Sequence, residues 1–329
     1  MATSCLSPET IARIRSVYAE TGSTIETARR LGVNKSSVLK YRDVVPVALD
    51  NMTPRVQYDP RDVAFTVTMP EPAAEAGGAT LPDPIHYDYT PFEIDTPGAW
   101  GVISDLHIPE HDKRTIELWE KKCRDSDGIL INGDLMECAS VSRHKNIKRY
   151  DIEEEIEKTQ QFLAWLRSRF PRARIVFKEG NHDDMMPRYL ADKCPELTSV
   201  KQLQLPILLD LAKYGVEWVA DKRVIMLGKL PVLHGHEFRG GGGLKPAKWL
   251  YDRTRHSALC GHFHKTDKHT EKDIKSKLHI TWTVGCARFL HPDWMPQNRW
   301  NHGFARVEVA NDGRYHVDNY EVLRDGTVA

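Results

Sequence analysis

Between residues 99 and 264 one small pattern keeps returning: a short apolar run that stops abruptly at Asp, Asn or His. It occurs in "GVISDLH", "GILINGDLME", "ARIVFKEGNHDD", "LPVLHGHEF" and "SALCGHFH". Runs of this length, rich in Ile, Val and Leu and bounded by Gly and polar residues, read as buried strands. The segment "IEEEIEKTQQFLAWLRSRF" lies among them and puts Ile152, Ile156, Phe162, Leu163 and Leu166 on one side of a helix. Later runs, "KLHITWTVGC" and the pair flanking Asn311-Asp312-Gly313, read as antiparallel strands, the second as a hairpin. Strands alternating with helices, then antiparallel strands, predict an α/β (α+β) β-sandwich flanked by helices over residues 97–329.

The polar clusters fall where α/β proteins place their chemistry, at the ends of strands. Alternate residues of an extended chain point the same way, so Asp105 and His107 can converge on one ion, and His262 and His264 can reach a shared site together. Leu106 and Phe263 face elsewhere and pack. Carboxylates with imidazoles are the donor set of sites that hold divalent metals close together. Each fragment alone also reads as a turn or a satisfied histidine; their order along the chain points to metal.

The series D-x-H, G-D, G-N-H-D, H-G-H, G-H-x-H resembles the calcineurin-like metallophosphoesterases over roughly residues 99–265. The resemblance implies a four-layer sandwich and two divalent ions, with Mn²⁺ favoured and Fe, Zn, Ni, Co or Mg as alternatives. Asp105, His107 and His264 would hold the first ion and Asn181, His234 and His262 the second, with Asp134 bridging. His182 corresponds to the family's general acid, and Asp183 would orient it or hold the loop. His236 would lie beside the ligands or face substrate. A hydroxide bridging the ions would attack phosphorus, with no covalent intermediate. Arg143 and His144 in the basic stretch "SVSRHKNIKRY", and Arg239 before a glycine run, are candidate substrate contacts. Glu137 stands near the place where many members carry Asp or His, and Cys138 reads as packing.

Residues 8–44 read as three short helices, closed at Gly22 and Gly32. The pattern T-x-E-x-A-x-x-L-G-V-x-x-S-x-V-x-x-Y resembles a helix-turn-helix of transposases, resolvases and phage regulators. The resemblance implies DNA contacts from Asn34, Lys35, Ser36, Ser37 and Lys40. A helical module for protein contacts is the competing reading. Residues 1–44 hold seven Lys/Arg against four Asp/Glu, whereas residues 45–96 hold nine Asp/Glu, two Lys/Arg and eight prolines and read as a linker. "VAFTVTMP" within it reads as an edge strand.

Over the whole chain 46 basic residues balance 46 acidic ones, so bulk charge does not select a polyanion. Six cysteines without a C-x-x-C pair read as free thiols in a reducing compartment. No run approaches the roughly 20 apolar residues of a membrane span. The expectation is a cytoplasmic protein, of a bacterial host or phage-encoded, with nucleic acid as partner and no membrane. Its most direct activity would be that of a phosphodiesterase or nuclease. A phosphomonoesterase addressed to DNA or a partner by the helical module is the alternative, and a non-catalytic DNA-binding regulator is the remote one.

Overall fold

The computed structural model describes residues 6–41, 55–57, 66–68, 81, 83–84, 89–143, 151–220, 222–240 and 243–329. The chain divides into two compact units, residues 1–85 and 86–329. No helix among the described residues is long and apolar enough to cross a membrane.

In the first unit α1 (Pro8–Thr21), α2 (Thr24–Leu31) and α3 (Lys35–Tyr41) pack together. Ser7 and Ser23 accept from the backbone N–H groups of Thr10 and Glu26, and Gly22 and Gly32 end the first two helices at φ 59° and 64°. Ile14 and Val38 are buried. Two three-residue strands, β1 (Arg55–Gln57) and β2 (Thr66–Thr68), pair antiparallel. Most of the rest of the proline-rich segment lies outside the described residues.

The second unit starts earlier than its sequence pattern suggests. β3 (Phe92–Ile94), inside the expected linker, pairs parallel with β8 (Ile225–Leu227) and buries Ile94. Three residues with two polar flanks are too short a run to stand out as a strand.

One six-stranded sheet has the order β14-β13-β4-β5-β6-β7. β4 (Gly98–Ile103), β5 (Gly128–Asn132), β6 (Arg174–Lys178) and β7 (Val216–Val219) run parallel, and β13 (His302–Val309) and β14 (Tyr315–Val322) close one edge antiparallel. The other has the order β11-β12-β10-β9-β8-β3. There β9 (Leu230–Leu233), β10 (Ala258–Cys260) and β12 (Leu278–Thr283) run parallel, with β11 (Asp267–Lys272) antiparallel to β12 and β8 antiparallel to β9.

Both faces of the first sheet are covered, which is why its central parallel strands β4 and β5 are nearly continuous apolar runs. Trp100, Val102, Leu130 and Val176 meet Ile225, Leu227, Val232, Leu259 and Trp282 between the sheets. On the other face Ile129, Ile131, Ile175 and Phe177 pack with residues of α4 (Lys113–Lys122) and α5 (Ile152–Arg169). α6 (Met185–Lys193) and α7 (Leu205–Leu208) follow β6, and α8 (Pro246–Thr254) covers the second sheet through Leu250, with Trp249 beside Phe238 and Phe263. The result is helix, sheet, sheet, helix: the expected four layers. Among the described cysteines, Cys123, Cys138, Cys194, Cys260 and Cys286 are free thiols.

Candidate metal centre

The parallel strands β4, β5 and β6 of one sheet and β9 and β10 of the other end toward the same place. Just past those ends the backbone takes an uncommon turn. Asp105, His107, Asp134, His262 and His264 have φ of 56°, 50°, 53°, 68° and 54°. Side-chain-bearing residues rarely enter the left-handed region, and when several do so together they mark a functional site. Two glycines make the approach possible. A methyl group at Gly133 would overlap the His234 ring, and one at Gly180 would overlap the Asp134 carboxylate and amide.

Donor atoms of Asp105, His107, Asp134 and His264 lie within 4.8 Å of one another, and so do those of Asp134, His234 and His262. Asp134 belongs to both groups. His264 Nε2 is 3.2 Å from Asp105 Oδ1 and 3.2 Å from His107 Nε2, and His234 Nε2 is 3.2 Å from Asp134 Oδ2. Asp105, Asp134 and His234 are fully buried or nearly so. Two further observations show that the cluster fits a cation. The buried Asn181 Oδ1 has no hydrogen-bond partner, which is costly unless something else takes it, and His234 Nε2 faces only ligand carboxylates. A mixed carboxylate, amide and imidazole set is the donor chemistry of divalent metals.

The surrounding layer orients these groups. His107 Nδ1 is 2.6 Å from Glu137 Oε2, and His234 Nδ1 donates to the Asn132 carbonyl at 2.7 Å. Each bond fixes the ring and leaves Nε2 for the ion. The Glu137 backbone carbonyl accepts from His182 Nδ1 at 2.7 Å, so one residue touches both histidines. Glu237 accepts from the backbone N–H groups of His234 (2.8 Å) and Gly235 (2.6 Å) and pairs with the fully buried Lys178 at 2.9 Å. Arg288, also fully buried, pairs with Glu110 and lies 3.4 Å from Glu137 Oε2. Lys178, Glu237 and Arg288 are not part of the sequence reading. A lysine ending the apolar run "RIVFK" was the only signal for the first; Glu237 and Arg288 carried none that a single sequence displays.

Burial works against every charge here; opposite charges win at Asp134 and His234, whereas burial holds His107 and His262 below the ordinary imidazole value. The His234 and His182 imidazoles overcome burial to hold the Asp134 carboxyl well below its ordinary value. Against the same burial, Asp134 and Asp105 raise His234 to about 10. His182 is raised by Asp134 and Glu137 despite its burial. Glu137 goes the other way, to about 7, because burial outweighs its cationic neighbours.

Other expected site residues lie elsewhere. The Asp183 oxygens accept the backbone N–H groups of Asp134 (2.7 Å), Gly180 (2.8 Å), Leu135 (3.1 Å) and Met136 (3.3 Å), so it holds two ligand loops together. His236 packs near His234, with ring centroids 5.4 Å apart, outside both ligand groups. Arg143 and Arg239 are exposed, and no described contact ties their side chains to the cluster. His144 lies outside the described residues. In the first unit Asn34, Lys35, Ser36 and Lys40 are exposed and Ser37 is half-buried on or beside α3.

Two mixed sheets with buried carboxylates and imidazoles gathered at their strand ends define a metallophosphoesterase sandwich. The chain belongs to the calcineurin-like phosphoesterases, hydrolases of phosphoric esters: that family's model matches residues 101–266, about half the chain and every strand-end cluster. Two solved structures are similar. A predicted phosphoesterase from Streptococcus pneumoniae is 16% identical, with 71% of this chain and 94% of that one covered and a TM-score of 0.30. Vps29 from Chaetomium thermophilum, solved with a cyclic peptide, is 12% identical, with 71% and 92% covered and a TM-score of 0.34. No curated protein matches the chain significantly.

Proposed function

We propose that this protein is a dinuclear metal-dependent phosphodiesterase acting on nucleic acid. The membership of Asp134 in both ligand groups carries the dinuclear part, since one carboxylate is shared by two sets of donors. Asp105, His107 and His264 would hold one ion, Asn181, His234 and His262 the other, and Asp134 would join them. Mn²⁺ suits the carboxylate and amide oxygens of this mixed set, with Fe, Zn, Ni, Co or Mg as alternatives. When bound, such ions lower the pKa of coordinated water from 15.7 to about 7 and neutralise charge on phosphoryl oxygens.

The chain's own residues supply the rest. His182 donates Nδ1–H to the Glu137 carbonyl, which turns Nε2 outward as the proton donor to the leaving oxygen. The carboxylates around it favour the protonated imidazole, the form a general acid needs. Asp183 keeps the Asp134 and Gly180 loops at fixed separation. Nucleic acid as substrate is supported by the exposed polar and basic residues of α3, which suit phosphate contacts. Residues 8–44 would then dock the substrate that residues 97–329 cut.

The test offers purified protein with Mn²⁺ a phosphodiester (bis-p-nitrophenyl phosphate), a monoester (p-nitrophenyl phosphate), and single- and double-stranded DNA and RNA. Diester and nucleic-acid cleavage is the expected result. Turnover of the monoester alone would replace this reading with a phosphomonoesterase.

A further inference from the structure

The loop between β12 and β13 passes directly beside the metal cluster. The Trp300 ring lies 4.3 Å from the His264 ring, and Trp294 meets Trp300 edge-on at 5.6 Å. A series of rings therefore runs from a ligand outward. The loop is tied down: Asn298 Nδ2 donates to the carbonyls of Leu290 (2.6 Å) and Met295 (2.8 Å), and its Oδ1 accepts from Trp300 N–H (3.0 Å). The Phe289 N–H donates to Glu110 O at 2.7 Å, and the Asn301 N–H to His264 O at 2.9 Å. Despite these ties, Phe289 is 53% exposed and Trp294 50%. A loop held this firmly does not expose large aromatics for want of a conformation that buries them, and an exposed aromatic joined through Trp300 to a ligand histidine marks a binding surface.

Beneath the rings lies a cation. The Arg288 guanidinium sits 5.7 Å from the Trp300 centroid and 5.9 Å from Trp294, and its buried Nε has no hydrogen-bond partner. The place thus offers metal ligands on one side and flat aromatic surface, braced by a buried and carboxylate-paired guanidinium, on the other. A nucleotide presents the complementary pair, an anionic phosphate and a planar base.

We propose that Trp294, backed by Trp300, is a stacking platform for the nucleobase next to the scissile phosphate. The inference rests on the phosphodiesterase reading above and names its substrate class: unpaired nucleotides. Every base has a π-face, so the platform tolerates sequence. Bases stacked within a duplex cannot reach it, so single strands are preferred over double strands. A phosphorylated serine, which lacks a ring, gains nothing from it.

The test uses the full-length protein. Tryptophan fluorescence is titrated with a dinucleotide and with the same compound lacking the base beside the phosphate, without added metal so that no turnover occurs. The dinucleotide should quench and the abasic compound should not. By calorimetric titration, Trp294→Ala should weaken dinucleotide binding about tenfold and leave abasic binding within about twofold, while Trp294→Phe should recover most of the loss. With Mn²⁺, Trp294→Ala should raise KM for the dinucleotide rather than lower kcat. Equal quenching by both compounds, or equal loss on both in Trp294→Ala, would overturn the platform. Wild-type protein inactive on every diester would remove the phosphodiesterase reading, and the base-dependent quench would then decide the platform by itself.

Discussion

His107 shows how a single side chain is made ready for a cation. Its Nδ1 is bound by Glu137 at 2.6 Å, so its Nε2 has one direction left, toward Asp134 and His264. Supporting carboxylates of this kind are worth 10–100-fold in metal affinity. Glu137→Gln should therefore weaken Mn²⁺ binding by about 10–100-fold while the protein stays folded, as read by calorimetric titration; an unchanged affinity would remove Glu137 from that role. The ligand types and their order were legible in the sequence because each follows an apolar run. Their geometry was not. Alternation along an extended strand would send Asp105 and His107 the same way for a simple reason, whereas both stand past the strand end at positive φ. His262 and His264 fall in different donor groups, in line with their assignment to different ions. For Asp183 the sequence left two roles, orienting His182 or holding the loop, and only the three-dimensional structure reveals that both of its oxygens accept backbone N–H groups of the ligand loops.

At the scale of elements, β6 and the loop after β9 are joined by the buried pair Lys178–Glu237. Lys178 also donates to the Arg223 carbonyl at 2.8 Å. Removing one partner of such a pair leaves an uncompensated buried charge and costs about 3–5 kcal/mol. Lys178→Met should lose about that much stability in urea unfolding. α5 carries a second buried carboxylate: Glu155 accepts the Ser140 N–H through one oxygen, and its other oxygen has no partner. Burial pushes its carboxyl up to about 7. Below about pH 4 both folded and unfolded chains hold this proton; between there and pH 7 only the folded chain does, so this group makes stability fall as pH rises through that window. Glu155→Gln should remove the dependence and make the protein about 2 kcal/mol more stable than wild type at pH 8, with little difference at pH 4. Equal unfolding midpoints at pH 8 would contradict it. The long amphipathic α5 and the Asn-Asp-Gly hairpin were plain from periodicity and turn chemistry. β3 was hidden because its partner, β8, lies far along the chain, and pairing at that range leaves no local pattern.

At the scale of the molecule, the unit of residues 86–329 has its own layered core and holds every metal-ligand candidate. Deleting residues 1–85 should leave hydrolysis of a small diester within about twofold of wild type. It should also weaken nucleic-acid binding and flatten its salt dependence, because fewer phosphates are neutralised. An unchanged salt slope would assign the three helices to a protein partner. The central claim is narrower: one carboxylate, Asp134, joins two ion sites. The most direct measurement is the number of Mn²⁺ ions bound per chain, by calorimetry with elemental analysis, in the wild type and in Asp134→Asn. The account predicts two ions for the wild type and weakened binding at both sites in the variant. A single ion in the wild type, or two ions held undiminished by Asp134→Asn, would contradict it.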